Sequence, residues 1–156
     1  MHRYLVVANR TLGGETLLNT IMDRMARGPA EFWVVVPATL VTRVSPALGA
    51  LSTLGGFPVD PTLLPTPDEI RHESFAAATA NLNAELSRLR AIGATADGAV
   101  GDPHPLIAIQ NAVGKQRFDE ILLSTLPPGI SRWLAMDLPR RVQRRTNVPL
   151  TVITAA

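Results

Sequence analysis

The chain has 156 residues, enough for one domain with a sizeable core, and its 46% hydrophobic and 18% charged residues are ordinary for a folded protein. It has no cysteine, which excludes disulfides, thiol catalysis and cysteine-ligated zinc. Net charge is only +2, and the cations are arginine except for Lys115, so the composition alone is no argument for nucleic-acid binding. Only 4% of the chain is Phe, Trp or Tyr, so Leu, Val, Ile and Ala must build the core.

In chain order, 4–8 (YLVVA) is a continuous apolar run, the pattern of a strand covered on both faces. Polar residues follow at once, so the start of the chain reads as a strand and not as a signal peptide. After a turn-rich stretch at 9–14, a helix is predicted over 15–27, with Leu17, Leu18, Ile21, Met22 and Met25 at helical spacing. Gly28-Pro29 stops it, and 32–36 (FWVVV) is a second buried strand. Residues 37–66 are rich in Pro, Gly, Ser and Thr, with a short helix possible around 46–54; a surface loop is the plainer reading and a lid the alternative.

Thr66-Pro67-Asp68-Glu69 is a helix start: Thr66 caps, Pro67 suits the first turn and Glu69 completes a capping box. That helix runs to about residue 92, with Ile70, Ala78, Leu82, Leu86 and Leu89 as its buried stripe and Gly93 ending it. A weaker strand at 94–100 turns through Gly101-Asp102-Pro103-His104 into a helix at 106–115. Buried strands are predicted to end at 121–124 and to occupy 148–153, with a basic helix between them. The β-α-β alternation implies a single α/β domain over 1–156, with a parallel five-stranded sheet and helices on both faces, Rossmann-like in build. No run approaches the ~20 apolar residues that span a bilayer, and the expected location is cytoplasmic.

Three stretches resemble the universal stress protein family: Gly101-Asp102-Pro103 after the third strand, FDEILLST in the fourth, and GISRWLAMDLPRRV before a final VPLTVI. The resemblance covers nearly the whole chain. It implies strand order 3-2-1-4-5 and a homodimer through the last strand. Nucleotide-binding members carry a signature of Gly, two residues, Gly, nine residues, Gly, then Ser or Thr. Aligned through Gly129-Ile130-Ser131-Arg132, this chain has Leu123, Leu126 and Met136 at the glycine positions and Asp137 at the hydroxyl position. Glycine lets backbone N–H groups approach phosphate oxygens, and leucine or methionine crowds that approach. Pro127 and Pro128 remove two donors from the same loop. A carboxylate at Asp137 can cap the next helix and repel a phosphate. The adenine-contacting Asp of the family is replaced by Asn9, in or next to that place.

Ligands of open α/β sheets sit beyond the carboxyl ends of the strands where strand order reverses. Here that cleft would draw Asn9, Arg10, Thr11, Gly13 and Gly14 from one side and Ser124, Thr125 and Gly129 from the other. Asp102 and His104 would approach from the third strand. Gly13-Gly14 either exposes N–H donors to an anion or forms a tight turn, which is the simpler reading. His104 reads as a solvent-facing residue of a first helical turn, and no histidine or carboxylate cluster has metal-site spacing. Ser124 lacks the G-x-S-x-G context of a hydrolase, and no set of residues argues for an enzyme. Arg140, Arg141, Arg144 and Arg145 read as a solvated helix face, with Leu138 and Val142 turned to the sheet. The expectation is a non-enzymatic binding or regulatory domain with no cofactor, acting on a protein partner or small ligand, without membrane or nucleic-acid contact. The alternative is an adenine-nucleotide binder, for ATP or AMP, with a variant phosphate loop.

Overall fold

The computed structural model describes residues 1–8, 14–38, 66–125 and 131–154, apart from the side chain of Arg132. In chain order these form β1 (His2–Ala8), α1 (Gly14–Ala26), β2 (Ala30–Pro37), α2 (Pro67–Ala91), β3 (Thr95–Gly101), α3 (Pro105–Lys115), β4 (Glu120–Thr125), α4 (Arg132–Ala135), α5 (Leu138–Arg145) and β5 (Leu150–Thr154). The strands make one parallel sheet in the order β3-β2-β1-β4-β5, as expected.

The alternation of side chains along each strand separates two cores. Tyr4, Val6, Phe32, Val34 and Leu122 meet Leu17 and Ile21 of α1 and Ala78, Leu82, Leu86 and Leu89 of α2. Leu5, Val7, Val35, Ile121 and Leu123 meet Ala108, Ile109 and Ala112 of α3 and Leu138 and Val142 of α5. β1 lies at the centre, and its residues 5–8 are wholly excluded from solvent. That double burial is why its sequence is an unbroken apolar run rather than an alternating one.

The ends of α2 follow their local chemistry. The Thr66 hydroxyl accepts from Glu69 N at 3.2 Å while the Glu69 carboxylate accepts from Thr66 N at 3.3 Å. At the other end Gly93 takes φ +87°, and the N–H groups of Gly93 and Ala94 close on the carbonyls of Arg90 and Leu89.

Several expectations need adjustment. The α2 stripe includes Ser74 and Glu85, both buried, whereas Ile70 is only half-buried. Met22 of α1 is exposed. The last strand starts at Leu150, after Pro149, which lacks a donor and so cannot enter the ladder as a full member. The fourth strand runs on to Thr125, and the short helix α4 precedes the basic helix. Residues 39–65, including the possible helix at 46–54, lie outside the described residues.

Candidate functional site

β1 leads to a helix on one face of the sheet, and its neighbour β4 leads to helices on the other. The connections that leave the carboxyl ends of these two strands therefore part to opposite faces, the position at which open α/β sheets hold ligands. Ala8 and Ser124 are paired across that junction. Ser124 and Thr125 close β4 with 1% and 3% exposure, and neither Oγ of Ser124 nor Oγ1 of Thr125 has a hydrogen-bond partner among the described residues. Adjacent strand residues face opposite ways. Ser124 therefore lies on the α1–α2 side and Thr125 on the α3–α5 side. A buried hydroxyl without a partner costs about 1–3 kcal/mol, so two in succession at a strand end mark a place that a polar group could relieve.

Gly14 opens α1 with φ +47°, on the same face as Ser124. Left-handed backbone there favours glycine, although a Cβ would meet nothing within 4 Å. Asn9, Arg10, Thr11, Gly13, Leu126 and Gly129 lie outside the described residues.

Asp102 and His104 follow β3, which is separated from β4 by β2 and β1. Three strand spacings amount to about 14 Å, so the turn starts well away from Ser124. The Asp102 carboxylate is occupied in its own turn, accepting from His104 N at 2.8 Å. His104 differs from the solvent-facing expectation. It is the N-cap residue of α3, half-buried, and its Nδ1 is enclosed without a partner among the described residues.

One further correction concerns the degenerate phosphate-loop positions. Leu123 sits inside β4, the strand expected there, fully buried and paired with Val7 and Val152. Asp137 is at the head of α5 as expected, but its carboxylate caps nothing. Its backbone takes φ +55° and ψ +37°, which is left-handed, and it makes no side-chain cap hydrogen bond. A residue in that conformation does not aim its side chain at the first-turn N–H groups as an extended N-cap residue does. The carboxylate turns to solvent, 3.8 Å from Nε of Arg140. Met136 beside it is exposed. Ser131 caps α4, its hydroxyl accepting from Leu134 N at 3.2 Å, and Trp133 anchors that helix in the core. The sequence signal for α4 was the Ser131–Trp133 pair, a cap followed by a large apolar residue.

No group of three or more potential metal ligands occurs among the described residues. A cavity of about 410 Å³ opens at the opposite, amino-terminal ends of the strands, between Arg3, Glu31, Trp33, Asp97, Gln116 and Phe118. Nothing in the sequence pattern pointed there. Strand-order reversal favours the carboxyl-end junction of β1 and β4 as the candidate, and the unpartnered hydroxyls of Ser124 and Thr125 lie there. No helix among the described residues is long and apolar enough to cross a membrane.

No protein-family model and no curated protein sequence matches the chain. Solved structures do. The structure of a universal stress protein from Archaeoglobus fulgidus is 15% identical, with a TM-score of 0.61 over 98% of this chain and 93% of that one. A universal stress protein family protein from Arabidopsis thaliana, solved with AMP bound, is 10% identical, with a TM-score of 0.61 over 100% and 93%. A hypothetical protein solved by crystallography matches at 15% identity and TM-score 0.62 over 99% and 96%. At these identities the likeness is one of architecture, and it extends over the full length of the chain: the protein has the universal stress protein fold.

Proposed function

We propose that the chain is a universal-stress-protein-like binding and regulatory domain, without enzymatic activity, that has lost the family's usual means of holding ATP. The observation that carries this reading is Asp137. It has the left-handed backbone for which glycine is normally used, yet it bears a carboxylate at the head of α5. Reading the signature one residue later keeps its spacing and takes Leu123 out of it. The glycine positions become Ser124, Pro127 and Asp137, and the hydroxyl position becomes Leu138. The positive φ at Asp137 favours that register. In either register no glycine remains, and an anion approaching α5 meets a negative charge where the helix dipole would otherwise attract it. The domain then acts through a protein partner or a small ligand, as a cytoplasmic homodimer joined through the free edge of β5, where Val152 is 40% exposed.

A second reading is favoured by the unpartnered hydroxyls of Ser124 and Thr125. An adenine nucleotide with few phosphates, such as AMP, would use the crevice between β1 and β4 while avoiding Asp137. The AMP in the Arabidopsis relative gives this reading a precedent of fold.

Thermal unfolding with ATP, ADP, AMP and adenosine, with and without magnesium, separates the two. A ligand at a hundred times its Kd stabilises by about 2.7 kcal/mol. No shift with any of the four supports the lost site. A shift with AMP or adenosine alone supports the second reading, and a shift with ATP overturns the first.

A further inference from the structure

Among the described helices, charge is sorted by the faces of the sheet. The helices of one face, α1 and α2, carry six carboxylates (Glu15, Asp23, Asp68, Glu69, Glu73, Glu85) against four guanidiniums (Arg24, Arg71, Arg88, Arg90). The helices of the other face, α3 and α5, carry Lys115, Arg140, Arg141, Arg144 and Arg145 and no carboxylate at all. The net charge of +2 conceals this separation.

The basic side is also open. All five cations are exposed. Leu138 and Val142 turn into the core, so the four arginines are left on the outer surface of a helix of only eight residues. Arg140 and Arg144 form one row and Arg141 and Arg145 another, each pair about 5–6 Å apart at Cβ. The one ion pair of these arginines among the described residues is the long contact of Arg140 with Asp137, between two largely exposed side chains. A solvated helix face is normally mixed in sign and laced with pairs of opposite charge; this one is of a single sign and almost unpaired.

We propose that the α3–α5 face is a docking surface for the phosphate backbone of double-stranded nucleic acid, read without regard to sequence. Charge complementarity argues for a polyanion, and the side-chain chemistry argues for phosphate. Arginine presents a planar fork that grips phosphate oxygens in a bidentate way. α5, which carries four of the five cations, lacks what other anionic targets require. α5 has no aromatic side chain on which unpaired bases could stack. It also has no exposed apolar residue to enter a lipid interface, and beside it only Met136 and, on α3, Ile107 are exposed large apolar side chains among the described residues. The inference is independent of the crevice between β1 and β4, and needs no ligand there.

Fluorescence anisotropy with a short mixed-sequence DNA duplex and the purified full chain tests it. Binding is expected at low salt, with log K falling linearly against log salt at a slope of roughly −3 to −4 between about 50 and 200 mM, the value for about four phosphate contacts. The double variant Arg140→Ala/Arg144→Ala is expected to reduce that slope by about two and to leave the unfolding midpoint unchanged. Arg71→Ala, on the other face, should change neither. Absence of binding at the lowest salt overturns the proposal, as does a slope unaffected by the double variant. Tighter binding to polyglutamate or to phosphatidylserine vesicles than to the duplex overturns it too, and identifies an acidic protein or a lipid surface as the partner.

Discussion

The Arg90 guanidinium donates two hydrogen bonds, at 3.1 and 2.9 Å, to the main-chain carbonyl of Ala96. Ala96 lies in β3, an outermost strand, and two residues on the N–H of Gly98 is taken by the Asp97 carboxylate at 2.8 Å. Residues 96 and 98 present their backbone groups on the same side of the strand. The free edge of β3 is therefore stoppered by side chains, a common protection against edge-to-edge pairing. Replacing both, in Arg90→Ala/Asp97→Ala, is expected to leave the fold intact and to produce concentration-dependent association by light scattering. The midpoint should fall by about 2–4 °C for each kcal/mol of bonding lost.

At the amino end of the sheet, Arg24 of α1 grips Glu120 of β4 through Nε and Nη2 at 2.8 and 2.9 Å, and Thr151 of β5 donates to the same carboxylate at 2.5 Å. The Arg24 hydrogen bond holds the Glu120 carboxyl below its ordinary pKa, helped by Thr151 and opposed by partial burial. A carboxylate with a depressed folded pKa adds stability above its unfolded value of about 4.3, and that stability is lost as pH falls through the folded value. Glu120→Gln should therefore cost about 2 kcal/mol at neutral pH. Its deficit should shrink below about pH 4, which denaturant titrations across the acid range would measure.

Glu85 behaves in the opposite sense. It is 1% exposed, its Oε2 has no hydrogen-bond partner among the described residues, and burial raises its pKa, with Arg88 opposing. A raised carboxyl pKa means stability that is present below the unfolded value and lost as pH rises through the folded one. Glu85→Leu preserves helix propensity and removes the unpaired polar atom. It is expected to raise stability at pH 7 by about 1–2 kcal/mol, with the gain fading towards pH 4. A variant no more stable than the parent at pH 7 would show that the Glu85 carboxyl is satisfied.

Gly98 allows β3 to lie against β2 and α2. A Cβ there would run into the carbonyl oxygen of Val34, its partner in the ladder, and come within 2.9 Å of Leu82 Cδ1. Backbone cannot yield as a flexible side chain can, so Gly98→Ala should destabilise by about 3 kcal/mol or more. Chemical denaturation would measure the loss.

The architecture was legible because burial on both faces writes itself as unbroken apolar runs, as in β1, and because Thr66 and Gly93 bracket α2 with unambiguous capping chemistry. The buried Glu85 was not legible, since periodicity assigns polar residues outward and this one lies within the apolar stripe. Asp137 was legible as the residue at the head of a helix but not in its conformation, because an N-cap and a left-handed residue favour overlapping residue types. The sorting of charge by sheet face could not be read along the chain, since it arises when crossovers bring α3 and α5 to the same side.

The central position of β1 has a consequence in time. Its partner on one side, β2, follows within about thirty residues, whereas its partner on the other is β4, so that Arg3 N reaches Asp119 Oδ2 across a separation of 116 positions. At synthesis rates of about 5–20 residues per second, β1 waits roughly 5–25 s for that neighbour. During the wait its β4-facing edge is bare. β1 is made before the other four strands of its sheet yet waits for β4 to be enclosed, and a nascent chain stalled before β4 would offer an apolar strand edge to chaperones.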